Sequence, residues 1–195
     1  MNRRNFLAMS ASAICAGRAP AAVPVAAQLP GDSLYQLAMP LTLQDGSSTN
    51  LAELRGTPVV ITMFYASCDG VCPMIAFSMR RMEQALSEAQ RGRVQWVMAS
   101  FDPERDTPTA LRTFAADNKL EQPRWKLARP ADGDARDLAA ALDIRYRKLP
   151  SGMFSHSSEI VLLDADGVIR ARTSSLTALD SGFMHALREQ ADKSP

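Results

Sequence analysis

Two long and nearly continuous apolar runs dominate the hydrophobic pattern of this chain. They cover residues 58–65 (PVVITMFY) and 94–101 (VQWVMASF), and both are rich in β-branched, aromatic and methionine side chains. Runs of this kind, without strict alternation, are typical of strands that are buried on both faces of an α/β sheet. A shorter strand is predicted at 124–128.

A helical periodicity follows the first of these runs. Apolar side chains recur at the i, i+4, i+7 and i+11 positions counted from Ile75, which predicts a helix with one apolar face. Pro73 is expected to open this helix, because proline suits the first helical position, and Gly92 is expected to close it. Met79 and Met82 fall on the apolar face and are predicted to lie in the core.

Three further helices are predicted downstream. Thr107 and Pro108 form a cap and first-residue pair for a helix that should reach about residue 118. The other two helices are expected at 132–142 and 178–192.

Turn signals complete the order of elements. Asp45 and Gly46 predict an N-terminal hairpin, and strands at 159–163 and 168–172 flank a second Asp-Gly turn. Residues 146–156 are expected to form a loop that has room for a hairpin of its own. Strands that alternate with helices, followed by a hairpin and a last helix, predict a thioredoxin-like α/β fold with a central mixed sheet flanked by helices.

The first residues carry an export pattern rather than a fold pattern. Residues 1–27 combine paired arginines, a short apolar run and small residues near the end, which is typical of a cleavable twin-arginine signal peptide. A retained tail is the alternative interpretation. We expect Cys15 to leave with the signal, residues 28–40 to form an irregular linker and residues 41–195 to form one domain, located in the periplasm.

Charge and cysteine content narrow the function. The formal net charge is +1 and no run of Lys or Arg exceeds two residues, so nothing indicates nucleic acid as a partner. Without the signal, only Cys68 and Cys72 remain. In an oxidising compartment two thiols this close together pair, are kept reduced by a reductase, or hold a metal.

Cys68 and Cys72 lie where a buried strand passes into a helix. Cys72 precedes Pro73 at the predicted helix start, where unpaired amides and partial positive charge lower the pKa of a thiol. Gly70 allows the intervening loop to turn. The pair can serve a structural disulfide, thiol–disulfide exchange, zinc or copper.

Histidine content bears on these alternatives. Structural zinc is usually bound by four ligands. A Cys/His zinc site in this chain would require Cys68, Cys72, His156 and His185 to converge. His185 is instead predicted to be an exposed helix residue. His156 is predicted to lie in a loop just before a strand. In a thioredoxin-like fold this loop lies close to the end of the sheet that carries the cysteines. Two thiolates and one imidazole suit Cu(I), and Cu(II) could use the same set with a fourth, weaker ligand. A surface-loop histidine is the other interpretation, and Met74 and Met153 are weaker ligand hypotheses.

Three motifs then resemble the Sco (SenC) family of copper chaperones for cytochrome c oxidase assembly. They are residues 64–73 (FYASCDGVCP), 100–108 (SFDPERDTP) and 155–157 (SHS), in the order and spacing of that family. Two positions depart from the common pattern, because Asp69 stands where many relatives have proline and Ser155 where many have aspartate.

The resemblance implies a function and a set of site residues. Copper would be carried by Cys68, Cys72 and His156, and delivered to the copper-site subunit of cytochrome c oxidase or to another periplasmic cuproprotein. A metallochaperone is favoured over an enzyme. The runner-up is a thiol–disulfide oxidoreductase without stable metal, with Cys68 and Cys72 as its redox pair. The loop at 102–108 is predicted to be scaffold, or else a partner contact or a support for the copper loop.

Overall fold

A computed structural model of the chain describes residues 28–131 and 133–194. The predicted signal peptide, including Cys15, lies outside the described residues, and so does Asp132. Within the described ranges, no helix has both the length and the apolar character needed to cross a membrane.

A seven-stranded mixed sheet forms the centre of the domain, and a separate two-stranded sheet lies outside it. The strands of the described residues are β1 Pro40–Leu43, β2 Ser48–Asn50, β3 Val59–Phe64, β4 Gln95–Ser100, β5 Trp125–Pro130, β6 Tyr146–Lys148, β7 Phe154–His156, β8 Ile160–Leu163 and β9 Ile169–Thr173. The order across the large sheet is β2-β1-β5-β4-β3-β8-β9. Strands β3, β4 and β5 run parallel, and the strands on either side of them are antiparallel.

In the part of the chain that the structure describes, five α-helices flank the sheet. They are α1 Val71–Gln84, α2 Glu88–Arg91, α3 Pro108–Asp117, α4 Asp134–Ala141 and α5 Ser181–Lys193. Short 3-10 helices at Leu34–Leu37 and Leu51–Leu54 complete the element order. The mixed α/β architecture predicted from the element pattern is therefore confirmed.

The continuous apolar runs became the most buried strands. All six residues of β3 are buried, as are five of the six in β4. These strands are adjacent to each other and buried on both faces, so they have no solvent face that would require polar alternation. Met79 and Met82 on α1 are fully buried in the same core, as predicted.

The helix predicted from Pro73 to Gly92 is wrong at both ends. It begins earlier, at Val71, and ends at Gln84, and α2 follows as a separate turn. The break has a local cause, because Ser87 and Gln90 form a reciprocal capping box that starts a new helix.

The segment 28–40, expected to be an irregular linker, is more ordered than predicted. It contains the 3-10 helix Leu34–Leu37, and Tyr35 within it is buried. The hairpin for which the predicted loop at 146–156 left room forms as the antiparallel pair β6 and β7, in which Tyr146 lies opposite His156. His156 is thus the last residue of a strand rather than a loop residue. The N-terminal hairpin around Gly46 forms as predicted.

The topology brings three connections to one edge of the sheet. Phe64 and Ser100 are register partners at the ends of parallel β3 and β4, so both following loops leave from the same edge. Strand β8 is antiparallel to β3 and pairs Ile160 with Thr62, so it begins near that edge. The residues just before β8, including His156, therefore approach the loop that carries the cysteines.

Candidate metal centre

The two cysteines are held by different elements on either side of one tight connection. Cys68 lies between β3 and α1 and is buried, with 7% of its surface exposed. Cys72 lies in the first turn of α1 and is fully buried. Both thiols are free, without a disulfide.

His156 completes a group of three candidate ligands. The Sγ atoms of Cys68 and Cys72 and a ring nitrogen of His156 all lie within 4.8 Å of one another. The Nε2 atom of His156 is 3.6 Å from the Sγ of Cys72. The structure thus brings together the three residues that the sequence predicted as ligands.

The hydrogen bond on the far side of the imidazole defines its tautomer. Nδ1 of His156 lies 2.9 Å from the backbone carbonyl of Ser157. A carbonyl oxygen only accepts hydrogen bonds, so Nδ1 carries the proton and donates it. Nε2 of the neutral ring consequently presents its lone pair toward the cysteines, as a metal ligand must.

Cys68 has the more acidic thiol of the pair. Burial raises its pKa, but hydrogen bonds from the backbone amides of Cys72 and Gly70 outweigh it, and the Tyr65 hydroxyl adds another. The pKa of Cys68 therefore lies below its ordinary value. Its thiolate is the better nucleophile and the more available metal ligand near neutral pH.

The prediction that Cys72 would have the lowered pKa is wrong. Burial raises the pKa of this thiol well above its ordinary value, despite its place in the first turn of α1. The proximity of Cys68 raises it further, because two neighbouring thiolates repel each other. The amides at the helix start act on the sulfur of Cys68 instead, because that side chain lies over the first turn.

Asp106, from the loop after β4, fixes the segment that leads to Cys68. Its two carboxylate oxygens accept the backbone N–H of Ala66 at 3.1 and 3.0 Å, and the hydroxyl of Ser100 donates to the same carboxylate. Burial raises the pKa of Asp106 above its usual range, and these hydrogen bonds partly offset the rise. The contact ties the cysteine loop to the edge of the sheet.

Arg105, next to Asp106, restrains the β6–β7 hairpin that carries His156. Its guanidinium pairs with buried Asp102 and donates to the Gly152 carbonyl at 2.7 Å, in the turn between β6 and β7. It also lies 5.8 Å from the ring centre of Phe154. The loop at 102–108 therefore supports both parts of the site, in agreement with the supporting role among the predicted alternatives.

An aromatic shell around the ligands was not predicted from the sequence. Phe101 and Tyr65 face the His156 ring at centroid distances of 5.0 and 6.1 Å. Phe154 packs on both, at 5.1 Å from Phe101 and 5.3 Å from Tyr65. The available signal was that Tyr65 and Phe154 lie within three positions of a ligand in the chain. These rings exclude water on one side of the site.

The remaining candidate ligands lie apart from the group. His185 is exposed on α5, as predicted. Met74 and Met153 are 48% and 53% exposed. Their proposed role as ligands stays a prediction.

Comparison with known proteins agrees with this geometry. The chain is 27% identical over 129 residues to the SCO1 protein homolog of Bacillus subtilis, an overlap of 65% of this chain and 66% of that protein, just under two thirds. It superposes on ScoI of Bradyrhizobium japonicum, solved with copper bound, with a TM-score of 0.65, 21% identity and coverage of 80% and 97% of the two chains.

A third relative is BsSco, described as a Sco-family cytochrome c oxidase assembly protein with a disulfide switch. The TM-score is 0.67 at 22% identity, with coverage of 78% and 91%. At these identities the superpositions establish the shared fold, and the predicted thioredoxin-like class is confirmed. The SCO1/SenC family model matches residues 30–189, most of the chain, and the protein therefore belongs to the SCO1/SenC family.

Proposed function

We propose that this protein is a copper-binding metallochaperone that carries one copper ion on Cys68, Cys72 and His156. The observation that carries the proposal is the convergence of the three ligand atoms within 4.8 Å of one another. Nδ1 of His156 faces the Ser157 carbonyl and Nε2 faces the cysteine sulfurs, which is the orientation that coordination requires. Asp106, through Ala66, and Arg105, through Gly152, restrain the segments that carry these ligands.

The donor set favours copper over structural zinc. Thiolates and imidazole suit Cu(I), which accepts three-coordinate sites, whereas structural zinc is almost always four-coordinate. His185, which would have to be the fourth Cys/His ligand, is exposed on α5 rather than near the group. Cu(II) would need one further, weaker ligand.

The location and recipient form part of the proposal. The signal-like residues 1–27 support export to the periplasm, and family membership supports the copper site of cytochrome c oxidase, or of another periplasmic cuproprotein, as recipient. Transfer from the copper-loaded protein to an isolated, metal-free oxidase copper-site domain tests the recipient. Copper that stays on this protein would contradict that part of the proposal.

Competition for Cu(I) against a chelator of known affinity tests the site itself. The reduced protein should bind one equivalent, and Cys68→Ser or Cys72→Ser should abolish tight binding. His156→Ala should weaken it by at least about tenfold, since even supporting residues of metal sites contribute about 10–100-fold. His185→Ala is the matched control and should leave the affinity unchanged. Failure of the parent protein to bind would overturn the proposal.

Thiol–disulfide exchange is a second candidate function, favoured by the unequal thiols. Cys68 has a lowered pKa and Cys72 is a fully buried thiol of raised pKa. The Cys68 thiolate would attack a substrate disulfide, form a mixed disulfide and release one substrate thiolate. Cys72 would then attack Cys68 and release the second, so that two electrons pass from the protein to its substrate.

His156→Ala separates the two functions. A reductase should keep its rate of reduction of a peptide disulfide in this variant, whereas the metallochaperone should lose copper affinity. Cys72→Ser should trap the mixed disulfide in the reductase reaction. If neither the parent protein nor Cys72→Ser forms a mixed disulfide with the peptide, the exchange function is excluded.

A further inference from the structure

A groove outside the metal centre shares an aromatic wall with it. The cavity has a volume of about 740 Å³ and lies between α4, the loop after β4 and the β6–β7 pair. Its apolar lining comprises Phe101, Ala139, Ile144, Tyr146 and Phe154, and we call it the aromatic groove. A volume of this size accommodates a few side chains of a docked segment.

The aromatic wall connects the groove to the ligands in a single layer. Phe101 stacks on Tyr146 at 4.9 Å in the groove and faces His156 at 5.0 Å. Tyr146 is also the register partner of His156 across the hairpin. A segment bound in the groove would therefore lie one aromatic ring away from the candidate metal ligands.

The rim of the groove is positively charged. Four exposed cations, Arg136, Arg145, Arg147 and Lys148, line it. Lys148 lies 3.7 Å from Glu104, whereas Arg136, Arg145 and Arg147 form no ion pair in the described part of the chain.

The two carboxylates of the groove lining do not cancel this charge. Asp102 is almost completely buried and is engaged by Arg105. Glu104 is the other carboxylate of the lining and belongs to the Lys148 pair. Basic residues around an aromatic floor are typical of surfaces that bind acidic segments, with arginine and aromatic residues supplying most of the binding energy.

We propose that the aromatic groove is a docking site for an acidic peptide segment of a partner protein, with an apolar or aromatic side chain seated between Tyr146 and Ala139. Acidic groups of the segment would pair with Arg145 and Arg147 at the rim. The identification of this partner as the copper recipient rests on the proposed function, but binding in the groove does not. Docking here would place the partner on the other side of the aromatic wall from the candidate metal ligands.

Fluorescence anisotropy on the reduced, metal-free protein tests the proposal. The probe is a labelled ten-residue peptide with aspartates and glutamates around one tyrosine and one leucine. This acidic peptide should bind, and its affinity should fall as the salt concentration is raised. A peptide with lysine at each acidic position should not bind. The double variant Arg145→Glu/Arg147→Glu should weaken binding of the acidic peptide by about tenfold or more.

A matched control keeps the charge change but moves it away from the groove. Arg93 precedes β4, at the opposite end of that strand from Phe101, and Arg188 lies on α5. Arg93→Glu/Arg188→Glu should therefore change peptide affinity by less than about twofold. Ala140→Gln, on the exposed side of the α4 wall, should weaken binding about threefold without any change of charge, by narrowing the groove.

The outcomes distinguish this proposal from the others. No binding of the acidic peptide, or an equal loss in the control pair, would overturn it. Equal binding of phosphatidylglycerol vesicles or of single-stranded DNA with the same dependence on Arg145 and Arg147 would assign the surface to a membrane or a nucleic acid and also overturn it. If the protein binds the peptide but not Cu(I), the docking proposal stands and the proposed function is refuted. If it binds Cu(I) but not the peptide, the proposed function stands and the docking proposal is refuted.

Discussion

The Nε2 atom of His156 lies 3.6 Å from the Sγ of Cys72, although 84 positions separate the two residues in the chain. The contact depends on β8 running antiparallel to β3, which returns the chain to the edge where β3 ends. It also depends on the Ser157 carbonyl, which keeps the proton on Nδ1. The relationship turns a pair of thiols into a three-ligand site.

Selective alkylation should reveal the difference between the two thiols. In the reduced, metal-free protein, Cys68 should react with iodoacetamide well before Cys72, because its thiolate is stabilised and Cys72 is fully buried. The rate should rise with pH and reach half its maximum at a lower pH than for free cysteine, since the pKa of Cys68 is lowered. Mass spectrometry of quenched digests measures both sites. Faster labelling of Cys72 would contradict the assignment, and both should react alike in urea.

Tyr65→Phe should raise the pKa of Cys68. The tyrosine hydroxyl donates a hydrogen bond to the Cys68 sulfur, which stabilises the thiolate, whereas the phenylalanine ring keeps the packing against Phe154. The midpoint of the alkylation–pH profile should move to higher pH. Tyr146→Phe is a suitable control, because this hydroxyl does not contribute to the lowered pKa of Cys68. An unmoved midpoint in Tyr65→Phe would show that the tyrosine hydroxyl does not stabilise the thiolate.

Asp106→Ala should lower the free energy of unfolding by about 1–3 kcal/mol, because the Ala66 N–H and the Ser100 hydroxyl lose a buried acceptor. Urea denaturation measures the loss. Asp117→Ala, at an exposed position of α3, should change the stability by less than about 0.5 kcal/mol.

The cost of Asp106→Ala should also depend on pH. A carboxyl group whose pKa is raised on folding binds its proton more tightly in the native state, so its contribution to stability decreases as pH rises through the native pKa. The stability difference between the parent and Asp106→Ala should therefore be larger at acid pH than at neutral pH. A difference that grows toward neutral pH would refute the raised pKa.

Arg105→Met should weaken Cu(I) binding by about tenfold without abolishing it. The substitution removes the hydrogen bond to the Gly152 carbonyl and the pair with Asp102, which together hold the β6–β7 turn. Hydrogen exchange of residues 153–156 should become faster, because the strand that carries His156 is less restrained. Arg129→Met removes the same charge from β5 and should alter neither quantity. Unchanged exchange in Arg105→Met would show that the hairpin holds itself.

Local sequence rules predicted the elements that depend on near neighbours. The apolar runs of β3 and β4 and the cap at Thr107 with Pro108 appear where expected, because burial on both faces and capping act within a few residues. The break after Gln84 also had a local signal, the Ser87–Gln90 capping box, which the longer helical periodicity concealed. The single long helix was predicted because the apolar periodicity and the capping box overlap there, and the capping box determines the structure.

The properties of the site depended on contacts between distant segments. The order of the two thiol pKa values was wrong from sequence alone, because it is determined by which sulfur lies over the amides of the α1 start and which is enclosed by the core. Likewise, the roles of Asp106 and Arg105 follow from contacts with Ala66 and Gly152, each about 40 or more positions away.

The sequence by itself determined the buried strands β3 and β4 and the spacing of Cys68 and Cys72, since these follow from residue type and local periodicity, and it indicated the candidate ligands through its resemblance to the Sco family. Only the tertiary structure decided that His156 ends a strand beside Cys72 and that Phe101 joins the metal centre to a basic groove. The physical reason is that strand pairing and side-chain burial are properties of the packed sheet, which brings residues together regardless of their separation along the chain.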